Sequence, residues 1–170
     1  PVLLINGTVY NTGQRLVMSN LPPRRFPSLL SNGGIKMAMP ETSVRLLSML
    51  AQPLTFEDFG SNMGSFRLSN AVAASAAFPI VLAPMRLNVY PDRVRPELAG
   101  RAAPELLQSQ KIFIADGGVY ENEGIDAALS VLKTLPRDQR VLILVIDASQ
   151  RMPTKVTGNN KIWDPVSVIW

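Results

Sequence analysis

Among 170 residues there is neither a cysteine nor a histidine. The first absence excludes disulfides, thiolate catalysis and cysteine-ligated metals. The second removes the commonest general base, the commonest zinc ligand and any Ser-His-Asp triad contained in this chain. Acid–base chemistry is left to carboxylates, lysines and tyrosines. Long apolar runs are also missing. The weakly polar stretch Ala71 to Met85 is interrupted by Pro79 and Pro84 and falls short of the ~20 residues a bilayer span needs. Pro1 to Val9 lacks the charged start and cleavage site of a signal peptide. Of the eleven glycines, Gly60 and Gly64 alone stand four apart, with Asn62 between them where a G-x-S-x-G elbow needs serine. No two glycines have the spacing that opens G-x-G-x-x-G.

What is present is an ordinary globular composition, 46% hydrophobic and 18% charged, in a chain long enough for one domain burying roughly 70% of its unfolded surface. The net charge of +4 is uneven: Arg15, Arg24, Arg25, Lys36 and Arg45 precede Glu57 with Glu41 as the sole acid among them. This basic end suits peripheral contact with an anionic membrane surface, or is simply a solvated face. Nucleic acid is a poor partner, because basic residues are not interleaved with aromatics. Chain-wide, these features read as soluble or peripherally bound.

Val2 to Tyr10 is rich in β-branched and apolar residues, and Asn11-Thr12-Gly13 offers a turn before Arg15 to Met18, which predicts a hairpin. Leu21 to Pro40 is loop, and Thr42 to Met49 a short helix. Thr55 is placed to cap a second helix start. Ser69 or Asn70 caps a predicted helix over Ala71 to Ala77, with Ile80 to Leu82 extended after Pro79. Leu87 to Gln110 reads as an irregular, partly helical insertion. Lys111 to Ala115 predicts a buried strand, and Ile125, Ala128, Leu129 and Leu132 one helical face. Val141 to Ile146, apolar throughout, predicts a central parallel strand. Strand, loop, helix and strand make one βαβ unit. Residues 151–170 form an irregular tail with two tryptophans.

The stretch I-A-D-G-G-V-Y-E-N-E-G, Ile114 to Gly124, carries the chemistry. Ligands of open α/β sheets bind beyond the carboxyl ends of strands, where Asp116 falls. Gly117 and Gly118 permit close approach of another backbone or a substrate. A carboxylate partly withdrawn from water there is a better base. Equally, Asp-Gly is a common turn pair. Asp147, in V-I-D-A-S, is a rival acid at a strand end. Asp116, Glu121, Glu123 and Asp126 form an acidic cluster, but their spacing fails the calcium-loop pattern. No metal or cofactor is expected.

Ala115 to Leu129, A-D-G-G-V-Y-E-N-E-G-I-D-A-A-L, resembles the Asp-Gly-Gly block of the patatin-like phospholipases. Arg67 to Met85 resembles the same family's serine- and alanine-rich helix ending in proline, and Pro1 to Leu16 its strand pair. The resemblance implies a three-layer α/β/α fold with a mainly parallel sheet and helices on both faces. It also implies a lipid acyl hydrolase, of phospholipase A or esterase type, acting on a fatty-acyl ester through a Ser-Asp dyad. Asp116 would be the general base, on the supporting turn Gly117-Gly118. The nucleophile and the glycine-rich oxyanion loop would lie upstream of Pro1, making residues 1–170 a single incomplete domain, inactive alone. Within the chain, Ser69 and Ser75 suit helix packing or capping better than nucleophilic attack. A non-catalytic lipid-binding or scaffolding domain with the same fold is the alternative, and a metal-dependent hydrolase using the acids of 116–126 a third. Met18, Met37, Met39, Met49 and Met63 suit either core gap-filling or a lid over an acyl groove.

Overall fold

The hairpin forms where the turn chemistry requires it. In the computed structural model, which describes residues 2–29, 51–121 and 123–144, β1 (Leu4–Val9) and β2 (Gln14–Ser19) pair antiparallel with Val9 opposite Gln14. Gly13 sits at φ +71°, the left-handed conformation that closes such a turn without a Cβ clash. Strand β3 is Met85–Asn88 and β4 is Lys111–Asp116. Together they make a four-stranded sheet of order β2-β1-β4-β3 in which every pair is antiparallel.

This overturns the expected three-layer fold with a mainly parallel sheet. Among the described residues the sheet is small and antiparallel, and helices are few. Apolar periodicity in Lys111–Ala115 locates a strand correctly but is silent on direction, which the neighbours decide. Both neighbours of β4 run opposite to it. One parallel bridge occurs, Leu16 with Leu54. There Val17 N donates to Leu54 O at 2.7 Å and Leu54 N to Arg15 O at 2.9 Å, so a short segment covers the open edge of β2, as exposed edges require.

Several local expectations change too. Pro79–Val81 is a turn, not an extended piece, and the insertion after Leu87 begins inside the unforeseen strand β3. Helix α1 runs Leu68–Ser75, and neither Ser69 nor Asn70 caps it; Arg67 is the N-cap residue. The Thr55 start yields a 3-10 turn, Phe56–Phe59, in place of an α-helix. Helix α2 is Pro104–Gln108, and α3 is Ile125–Leu132. The buried face of α3 carries Ala127 and Ser130, while Leu129 is exposed, a rotation from the predicted stripe. Residues 141–144 form no strand, so the βαβ unit is not completed among the described residues. By internal contacts the chain divides into Pro1–Arg140 and Val141–Trp170. The predicted Thr42–Met49 helix, Asp147, the 151–170 tail, and Met37, Met39 and Met49 lie outside the described residues.

Side chains alternate across strands, and the two faces of the sheet bury different partners. On one, Ile112 and Ile114 of β4 pack with Val9, Met18 and the α1 alanines Ala71 and Ala74. On the other, Val17 packs with Phe26 and Ala127, joined by Val131. Alanine at 71 and 74 lets α1 approach closely, the packing role foreseen for small residues there. The 3-10 turn is held by a buried acid. Asp58, whose side chain is 0% exposed, pairs with Arg101 Nε at 2.7 Å. It also accepts the backbone N–H and hydroxyl of Thr55 at 2.7 and 2.9 Å. Arg101 donates further to Pro53 O at 2.9 Å and Phe26 O at 3.4 Å. Among the described residues no helix is long and apolar enough to cross a membrane.

Candidate active site

Strand β4 ends on Asp116, opposite Gly7 of β1. Two segments distant in sequence and the turn that follows it fix it. Its backbone N–H donates to Ala77 O, just past α1, at 3.0 Å. Its carbonyl accepts the Thr8 hydroxyl of β1 at 2.8 Å. Its Oδ1 accepts the Gly118 N–H at 2.6 Å. The other carboxylate oxygen, Oδ2, accepts no hydrogen bond among the described residues. Asp116 is half-buried. The turn-cap role that the sequence allowed is thus formed through Oδ1, and the second oxygen is unengaged.

The two glycines have separate duties. Gly117 is buried, and a Cβ there would lie 2.8 Å from Asn6 O and 3.0 Å from Asn6 Cβ, so only glycine lets the turn pass under β1. Gly118 supplies the N–H that aims the carboxylate. Together Gly117–Val119 form a 3-10 turn with Asp116 as N-cap.

Below this turn lies a residue that the sequence reading counted only as part of a basic end. Arg15 of β2 is 1% exposed. Its Nη1 is 3.4 Å from Glu121 and 3.2 Å from Asp126, and its Cζ is 5.4 Å from the Tyr120 ring centroid. Glu121 Oε1 also accepts the Asp126 N–H at 2.9 Å, tying the loop to the first turn of α3, where a negative charge is favoured. Two acids of the cluster, Glu121 and Asp126, thus form an arginine clamp, and Asp116 and Glu123 take no part in it. Among the described residues no group of three metal-ligating side chains is assembled. Nε and Nη2 of Arg15 and Oδ1 of Asn6 are buried without hydrogen-bond partners. Gly124, at φ +70°, sits where a Cβ would lie 2.7 Å from Asn6 Nδ2. A detectable signal existed: a lone arginine inside the five-residue run Q-R-L-V-M demands a carboxylate partner once both faces are buried.

The segment that follows Ala77, whose carbonyl holds the Asp116 N–H, is apolar. It exposes Phe78, Ile80, Val81 and Leu82, and Ile80 is fully exposed at φ +83°, a conformation costly for a β-branched residue. A cavity of about 480 Å³ has Leu3, Ile5, Met18, Leu21, Met63 and Phe66 among its walls. Ile5 shares the sheet face of Gly7 and hence of Asp116, one pleat further along, roughly 7 Å. Asp116 itself does not line it. Met18 is core and Met63 packs against the core, and both also line this cavity. Ser69 is exposed, Ser75 half-buried, and neither is hydrogen-bonded to Asp116. Comparison with protein-family models, with curated proteins and with solved structures finds no match.

Proposed function

We propose that this chain supplies the aspartate of a Ser-Asp dyad in a lipid acyl hydrolase. One observation carries the reading. The three sequence blocks singled out for their resemblance to patatin-like phospholipases meet at a single residue: Thr8, Ala77 and Gly118 each hold Asp116, and Oδ2 is left to accept a proton. With no histidine in the chain, a carboxylate is the natural acceptor.

In this mechanism a serine from outside these 170 residues attacks a fatty-acyl ester. Its proton passes to Asp116 Oδ2 as the Oγ–C bond forms, and returns to the leaving alcohol as the ester C–O bond breaks. Water then repeats the exchange and frees the fatty acid. The apolar rim at 78–82 and the neighbouring cavity support an acyl substrate. The same rim also supports a second reading, a lipid-binding domain without catalysis, since exposed apolar patches mark contact surfaces.

Fluorophosphonate labelling of the protein expressed from its full reading frame separates the two. Labelling of a serine, slowed in Asp116→Asn, is the expected result. An unlabelled protein that still binds lipid vesicles refutes the enzyme and leaves the second reading.

A further inference from the structure

At the opposite end of the sheet lies a cleft of different character. Its first wall is the 3-10 turn Phe56–Phe59 continued through Gly60, Ser61, Asn62 and Ser65. Its second is Arg86, Leu87 and Asn88 of β3, continued through Tyr90 and Arg93. The walls are latched: Tyr90 N donates to Phe59 O at 2.8 Å, and Ser61 Oγ to Asn88 O at 2.7 Å. Gly60 closes the corner at φ +67°, and a Cβ there would strike Tyr90 O. Between them is a cavity of about 350 Å³, at the lower end of the ~300–1,000 Å³ typical of small-molecule sites.

Its charge is one-sided. Arg86 and Arg93 line it and no carboxylate does. Among the described residues neither arginine has an ion-pair partner, whereas Arg15, Arg95 and Arg101 do. Asp92 and Glu57, the acids nearest in sequence, point no oxygen into the lining. Arg93 is steadied by the Tyr90 ring, with Cζ 4.4 Å from its centroid, which leaves the edge of its fork free to donate. Asn62 Oδ1 is engaged by Gly64 N at 2.8 Å, and its NH₂ has no hydrogen-bond partner among the described residues. Tyr90 Oη accepts from Asn88 Nδ2 at 3.3 Å and retains its own O–H. The floor is apolar, with Phe56 and Phe66 packed edge to face.

Two guanidinium forks without ion-pair partners, an amide NH₂ and a phenol line one cleft with no carboxylate among its described lining residues, a donor set that matches the oxygens of a phosphate group. The aromatic floor matches a small carbon substituent. We propose that this cleft binds a phosphate monoester, presented either as a soluble compound or as a lipid headgroup. The site stands at the Asn88–Lys111 end of the β3–β4 ladder, five residues or ~17 Å along β4 from Asp116, and does not rest on the hydrolase reading.

The test is calorimetric titration of the 170-residue chain with glycerol 3-phosphate, alongside co-sedimentation with phosphatidylcholine vesicles lacking or containing phosphatidic acid. Arg86→Gln and Arg93→Gln are both exposed and leave the fold intact by circular dichroism. Each weakens binding about 10- to 100-fold, the loss expected for a charge-assisted contact, whereas Arg24→Gln, an equal charge change elsewhere, leaves it unaltered. Binding of the soluble ester assigns a small-molecule site. Binding only to phosphatidic acid vesicles, with the same arginine dependence, assigns a headgroup site. No saturable binding to either, or binding indifferent to Arg86 and Arg93, or lost equally in Arg24→Gln, overturns the proposal.

Discussion

Replacing Asp58 by alanine removes three interactions at once. Its carboxylate is fully enclosed, bonded to Arg101 Nε at 2.7 Å and to both donors of Thr55. Arg101 is left 12% exposed and without an acid. Breaking one side of a buried ion pair typically costs about 3–5 kcal/mol, because the surviving charge stays desolvated. Arg101 keeps two carbonyl acceptors, which places the expected loss near the bottom of that range, about 3 kcal/mol. At roughly 4 °C per kcal/mol for a unit of this size, the melting temperature falls by ~12 °C. Thermal and urea unfolding of the single variants, of Arg101→Met and of Asp58→Ala/Arg101→Met completes the cycle. The double variant should be less damaged than the sum of the singles by about 1 kcal/mol or more, since neither charge is then stranded. Strictly additive losses, or an Asp58→Ala cost below ~1 kcal/mol, would refute this reasoning.

Three further substitutions probe the turns. Gly60→Ala forces a Cβ into Tyr90 O at a left-handed φ and should cost about 2–4 kcal/mol by denaturant unfolding; a near-neutral result contradicts the tight latch between the turn and Tyr90. Gly117→Ala, meeting Asn6 O at 2.8 Å, should cost about 1–3 kcal/mol and shift the Gly118 amide resonance, with an unshifted resonance counting against the close passage under β1. Arg15→Met leaves Glu121 and Asp126 without their shared cation. The Asp126 amide should then exchange hydrogen about tenfold faster, and unchanged exchange would show that the clamp does not order the loop.

How far the sequence disclosed this architecture depended on whether a feature is local. The Asn11-Thr12-Gly13 turn, the strand ending in Asp116 and the tight turn beyond it were legible because each rests on neighbouring residues. Strand direction was not: K-I-F-I-A reads identically in parallel and antiparallel surroundings, and β1 and β3 decide. Strand β3 escaped because four residues between Pro84 and Pro91 carry too little pattern. Val141–Leu144 fits a strand by composition, yet a strand exists only with a hydrogen-bonded neighbour. The stripe on α3 was misread by a rotation because Ser130 is buried by donating to Asp126 O at 2.9 Å, which lets a polar residue face inward. For the candidate site, Asp116 was visible from its glycines. Arg15 was marked only by its place in an otherwise apolar strand; which acids pair with it was hidden, because they lie more than 100 positions away.

The central claim is that Asp116 Oδ2 takes the proton of an attacking hydroxyl. Ester hydrolysis by the full-length protein, wild type against Asp116→Asn, tests it most directly, since asparagine preserves shape and an Oδ1 acceptor for Gly118 but supplies no base. Activity should fall by about 10²–10⁴-fold with the melting temperature nearly unchanged. Hydrolysis within threefold of wild type (about 0.6 kcal/mol of barrier) in a folded variant would contradict it.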